Sequence, residues 1–123
     1  MQNLDTKLLD SYSDEQLLLF LQSHFRESVP KKIEQIKALA VSNEKKELQS
    51  LLHSLKNTFG NIGSESTAKF CQSIEDELDF SSCKSALNYI GILIESFHET
   101  DKEFSQYLEY RRTLTPEINQ NPT

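Results

Sequence analysis

The chain has 123 residues, 37% hydrophobic and 26% charged, with 13 Lys+Arg against 19 Asp+Glu and only three Gly and three Pro. That length suits one domain able to bury a core without metal or disulfide staples, and so few turn formers argue against an all-β fold. The net charge of −6 argues against nucleic acid or a membrane surface as partner, because both attract basic proteins.

The first ten residues, MQNLDTKLLD, have no basic segment leading into an apolar run, so no secretory signal is expected. Leu4 to Leu9 reads as a short amphipathic helical turn. From Asp14, the apolar residues Leu17, Leu18, Leu21, Phe25, Val29, Ile33, Ile36 and Ala40 recur at 3–4 spacing and predict a helix roughly 40 Å long. Ser13 is its expected N-cap, with Gln16 completing a capping box. Pro30 lacks a backbone donor and is expected to kink or break the helix near Glu27 and Ser28. The longest apolar run, Leu17 to Leu21, falls far short of the ~18 residues a membrane span needs.

Asn43 is the expected N-cap of a second helix through Leu48, Leu51, Leu52, Leu55 and Phe59, which Gly60 and Gly63 end. A third begins near Ser64 and carries Ala68, Cys71, Ile74 and Leu78. After a loop from Asp79 to Ser82, capped by Ser81 or Ser82, the last helix carries Ala86, Tyr89, Ile90, Leu93, Phe97, Phe104, Tyr107 and Leu108. Cys71 and Cys83 fit no zinc spacing and read as buried or half-buried thiols in a reducing cytoplasm, the expected location. Four amphipathic helices with short connections predict an all-α fold, an antiparallel up-down four-helix bundle with a short extra N-terminal helix. The domain is expected to span 1–112 as a monomer, with a disordered tail over 113–123.

On the second helix the apolar positions cluster within an arc of about 100°, and His53 lies roughly 150° from its centre, so it should face solvent. Its surface neighbours are Gln49, Ser50, Lys56, Asn57 and, a turn further, Gly60, all small, polar or cationic. Such a clearing, with one ammonium beside an imidazole, suits the approach of a bulky anion. His24 and His98 each sit alone in acidic or polar helix segments and form no i, i+4 pair with another His or a carboxylate on a plausible inward face, so no metal site is expected. Leu51, Leu55, Phe59, Ile74, Leu93 and Phe97 read as core. Leu17, Leu18 and Phe25 read as core first and as an exposed docking patch second.

The segment His53-Ser54-Leu55-Lys56-Asn57-Thr58-Phe59-Gly60-Asn61-Ile62-Gly63-Ser64 resembles the signature H-x-L-K-G-(S/A)-(S/A)-x-x-(L/F/I)-G-A of histidine-containing phosphotransfer (HPt) domains of bacterial phosphorelays. It matches at His53, Leu55, Lys56, Ile62 and Gly63, and conservatively at Thr58 and Ser64. The resemblance extends to Cys71-Gln72-Ser73-Ile74-Glu75, similar to C-x-x-L-E, and to Phe25 through Pro30, similar to F-x-E-x-x-P. It covers about residues 14 to 110.

The resemblance implies that His53 accepts a phosphoryl group from a receiver-domain aspartyl-phosphate of a hybrid sensor kinase and passes it to a response-regulator Asp. Lys56 would pair with the phosphoryl oxygens, Glu75 would orient the imidazole from the next helix, and Gln49, Ser50, Asn57 and Gly60 would form the face on which receivers dock. Mg²⁺ is expected on the receiver, and no cofactor on this chain. With no glycine-rich loop or Gly-Lys-Ser/Thr element, the chain is expected to be a carrier, neither binding ATP nor phosphorylating itself. The departure is Asn57, where most members carry Gly. Its larger side chain keeps an alternative open, a non-transferring module that binds and sequesters a receiver. A metal or cofactor bundle, from a different functional class, is disfavoured by the absence of paired Glu-x-x-His motifs.

Overall fold

The computed structural model describes residues 4–114, which form helices and connecting turns with no strand among them. Helix α1 spans Thr6–Asp10, α2 Glu15–Ser42, α3 Lys45–Asn61 and α4 Glu65–Glu77; a 3₁₀ segment, Cys83–Tyr89, leads into α5, Ile90–Leu114. The predicted up-down bundle is present. Arg26 meets Asp101 and Gln22 meets Ser105, which sets α2 antiparallel to α5. Lys32 reaches Thr58, Gln49 reaches Asp79 and Lys56 reaches Gln72, so α2, α3 and α4 also alternate in direction. The hydroxyls of Ser64 and Thr100, both fully buried, share a hydrogen bond of 3.2 Å between the start of α4 and α5.

Apolar stripes at helical spacing form the core. Leu18, Phe25, Val29, Ile36 and Ala40 of α2 are fully or almost fully buried, as are Leu48, Leu52, Leu55 and Phe59 of α3, Cys71 and Ile74 of α4, and Leu93 and Phe104 of α5. Phe59 and Phe97 both pack on Phe25, with ring centroids at 5.3 Å and 5.1 Å. Leu51 and Phe97, read as core, are only partly buried, because each sits where its helix stripe meets the bundle surface. Of the three residues considered for a docking patch, Leu18 and Phe25 are buried, while Leu17 is 39% exposed.

Several boundaries differ from the sequence reading. Helix α2 continues through Pro30 without the break expected near Glu27 and Ser28. Pro30 lies on the exposed face, and Val29 and Ile33 anchor the helix in the core on either side, so one missing backbone bond is outweighed. Asp14, not Ser13, caps α2, its carboxylate accepting the Gln16 N–H at 2.9 Å. Asn43 ends α2 rather than starting α3: it adopts the left-handed conformation, φ 60°, which Asn tolerates better than most residues. The last helix begins as a 3₁₀ segment because Cys83, Ala86 and Tyr89 recur every three residues, the period of that helix. Tyr89 then donates to Glu77 Oε1 at 2.6 Å and sets its ring edge against Phe70. Helix α5 runs through Leu114, two residues into the expected tail; residues 115–123 lie outside the described residues.

Gly63 follows α3 with φ 87°, and a Cβ there would lie 2.6 Å from the Asp5 carbonyl oxygen. Its own carbonyl accepts the Asp5 N–H at 2.7 Å, so this glycine holds the N-terminal segment on the bundle. Gly63→Ala should cost about 2–4 kcal/mol from left-handed strain and the lost contact, read as a lower midpoint in urea denaturation. An unchanged midpoint would show that the N-terminal segment is not held this way.

Cys71 and Cys83 are buried free thiols, as read. Burial pushes the Cys71 thiol from an ordinary value of 9.0 up to about 12. Native Cys71 should therefore resist alkylation at pH 8, and mass mapping after labelling should find it modified only once the chain is unfolded. Between pH 9.0 and about 12 the unfolded chain loses this proton and the native one keeps it. The Cys71 contribution to stability is complete below that window and is lost as pH rises through it, a difference a Cys71→Ala variant should lack.

Candidate functional site

Helix α3 presents His53 on the side away from the core, and its side chain is 55% exposed. Helix α4 runs antiparallel beside it and contributes Gln72 with Glu75 and Asp76, three and four residues on and so on one side, and Asp79 follows in the turn after the helix. The two faces meet as a ladder. Gln49 Nε2 donates to Asp79 Oδ1 at 2.9 Å and to the Glu75 carbonyl at 3.3 Å. One turn on, His53 Nδ1 lies 3.7 Å from Glu75 Oε1. Beyond that, Lys56 Nζ donates to Gln72 Oε1 at 2.7 Å, and Gln72 Nε2 donates to Asp76 Oδ1 at 2.9 Å.

Glu75 Oε1 is buried and has no hydrogen-bond partner among the described residues. A buried carboxylate oxygen without a donor is costly, and the nearest candidate is the imidazole Nδ1–H. A small rotation of the ring would close the 3.7 Å gap to hydrogen-bond distance. In that tautomer the lone pair is on Nε2, the nitrogen left for chemistry.

Toward α2 the surroundings are open. Ser50 and Asn57 are exposed, and a Cβ built on Gly60 would meet nothing within 4 Å. Beside them a groove of about 700 Å³ runs between α2 and α3, its walls including Ala38, Leu39, Lys46, Ser50, Leu51 and Ser54. Beyond Ser54, Lys32 of α2 donates to the buried Thr58 Oγ1 at 2.8 Å, which in turn donates to the Ser54 carbonyl. Partial burial pushes the Lys32 ammonium below the usual lysine value, so this cation serves the α2–α3 contact.

A sequence model of the Hpt domain matches residues 21–108, most of the chain. The chain belongs to the Hpt domain family. Searches of curated proteins and of solved structures returned no match. Hpt domains serve histidine phosphotransfer in two-component phosphorelays as carriers rather than kinases, and their partners are receiver domains and response regulators. The all-helical bundle agrees with this family, and no described helix is long and apolar enough to cross a membrane.

Of the residues singled out in the sequence, the structure gathers His53, Lys56 and Glu75 along the α3–α4 seam, and leaves Ser50 and Asn57 exposed beside His53. Gly60 is half-buried at its margin. Gln49 is turned into the seam, with its amide bound to α4. Gln72, Asp76 and Asp79 were not singled out, although Gln72 lies three residues before Glu75 and four before Asp76, a spacing that joins them on one helix side, with Asp79 in the turn that follows. Among the described residues, no three His, Cys, Asp or Glu side chains come together as a metal site.

Proposed function

We propose that His53 is the phosphoryl acceptor of a relay between two receiver domains, one on a hybrid sensor kinase and one on a response regulator. The observation that carries this reading is an exposed imidazole with Nδ1 turned toward a buried, unpartnered carboxylate oxygen. The Nε2 lone pair forms the bond to phosphorus while the P–O bond to the receiver aspartate breaks, and the electron pair leaves on that carboxylate. Nδ1 keeps its proton throughout, so the phosphorylated ring is cationic, and the Glu75 carboxylate offsets that charge. Passing the group to the second receiver reverses these steps.

Lys56 supplies an ammonium for the phosphoryl oxygens, and Ser50, Asn57 and the open space at Gly60 admit the receiver's active-site rim. The receiver body would lie along the α2–α3 groove. Mg²⁺ belongs to the receiver in this reading, where it neutralises phosphoryl oxygens, and the carrier holds no cofactor of its own. A second reading, sequestration without transfer, draws on Asn57, whose exposed side chain stands where most family members have Gly.

The test is intact-mass analysis of the chain after incubation with a phosphorylated receiver. One added phosphoryl group, labile in acid and stable in base, is expected. Binding to a receiver without any such gain would overturn the relay and establish sequestration.

A further inference from the structure

Resting on the relay reading, we infer that Gln72 is the positioning residue for Lys56: its neutral amide seats the ammonium beside His53 without cancelling its charge. Lys56 Nζ is 2.7 Å from Gln72 Oε1, and the other end of the same amide donates to Asp76 Oδ1 at 2.9 Å. The order cation, amide, carboxylate orients the amide, because its oxygen faces the ammonium and its nitrogen faces the carboxylate.

What the amide prevents is as informative as what it does. Helix α4 and the turn after it carry three carboxylates on this side, Glu75, Asp76 and Asp79, and Lys56 is the one formal cation in α3 between Leu48 and the helix end. A direct Lys56–Asp76 pair would draw the ammonium along α4 and satisfy it with a full negative charge. Gln72 stands between the two groups and accepts from Lys56 as a neutral oxygen. A phosphoryl group on His53 offers charged oxygens, stronger acceptors than an amide, so Lys56 can leave Gln72 for the phosphoryl group at little loss. Helical spacing places Lys56 one turn beyond His53 on the same surface.

The variant that separates these roles is Gln72→Met, an unbranched apolar side chain of similar length at a half-buried position. It keeps the packing and removes both hydrogen bonds, so Lys56 can turn to Asp76. Loading of His53 from a phosphorylated receiver should slow about fivefold, the scale of one partly exposed charged interaction. In a Lys56→Met background, Gln72→Met should leave the loading rate unchanged, whereas a purely structural role would slow both backgrounds alike. In the wild type, the ¹⁵Nζ resonance of Lys56 should shift when His53 is phosphorylated. Wild-type loading by Gln72→Met, equal slowing with and without Lys56, or a Lys56 resonance that ignores phosphorylation would overturn the inference. Failure of the wild type to load at all would instead overturn the relay reading and take this inference with it.

Discussion

The variant His53→Gln should gain no acid-labile phosphoryl group under conditions that load the wild type to completion. Glutamine offers an amide of similar reach, but its nitrogen lone pair is delocalised into the carbonyl and cannot attack phosphorus. The substitution is structurally mild: the side chain at 53 is 55% exposed, and its polar neighbour in the structure is Glu75 at 3.7 Å. Stability should stay within about 0.5 kcal/mol of wild type, so lost loading cannot be ascribed to unfolding. The comparison is decisive because His24 and His98 are also exposed. They sit near aromatic rings, Phe20 with a centroid distance of 6.4 Å and Phe97 with 5.2 Å, and among the described residues neither forms an ion pair with a carboxylate as His53 does with Glu75. If His53→Gln still gains the group, the acceptor is another residue and the ladder between α3 and α4 has no part in the chemistry.

Phe59→Ala should be among the most damaging single substitutions, at about 3–5 kcal/mol. Phe59 is fully buried, and its ring meets Phe25 at 80°, edge to face, while Phe25 also packs on Phe97. Removing it leaves a cavity at the junction of α2, α3 and α5 and forfeits an aromatic pair that adds to the area buried. For a domain of this size the melting temperature should fall by roughly 15–25 °C. Phe25→Ala should do comparable harm, and the double variant should cost less than the sum, because one lost contact is counted in both singles. Below its melting point Phe59→Ala should still accept phosphate, since His53 lies on the opposite side of α3. A small thermal shift would mean that the neighbouring helices collapse into the space. Phe59 stands at a small-residue position of the family signature, and the pairing with Phe25 accounts for it here.

Phe59 and Gly63 are among the signature residues with structural roles. Gly63 is required by a positive φ and by the nearness of Asp5, and position 59 serves the core. His53 and Lys56 are the ones at the surface seam.

The sequence by itself determined the main helices, most of their inward faces and the exposure of His53. Helical periodicity in 123 residues with few turn formers leaves a bundle as the simple way to bury four stripes, and the same periodicity puts His53 outside. Caps were less legible. Ser13 and Asn43 have the right chemistry, but Asp14 and the left-handed turn at Asn43 prevailed because a one-residue difference in register changes which side chain meets the free N–H groups. Of the kink or break expected at Pro30, the break is absent: the local cost of proline is visible in sequence and the buried anchors Val29 and Ile33, packed by distant residues, are not. The family resemblance already implies Glu75 beside His53; the other pairs between α3 and the α4 side were decided by the tertiary structure alone. Gln49 with Asp79 and Lys56 with Gln72 depend on the relative height of two helices joined by Ile62, Gly63 and Ser64. That height follows from how the buried side chains of both helices interlock, a property of the whole core and not of either helix read alone.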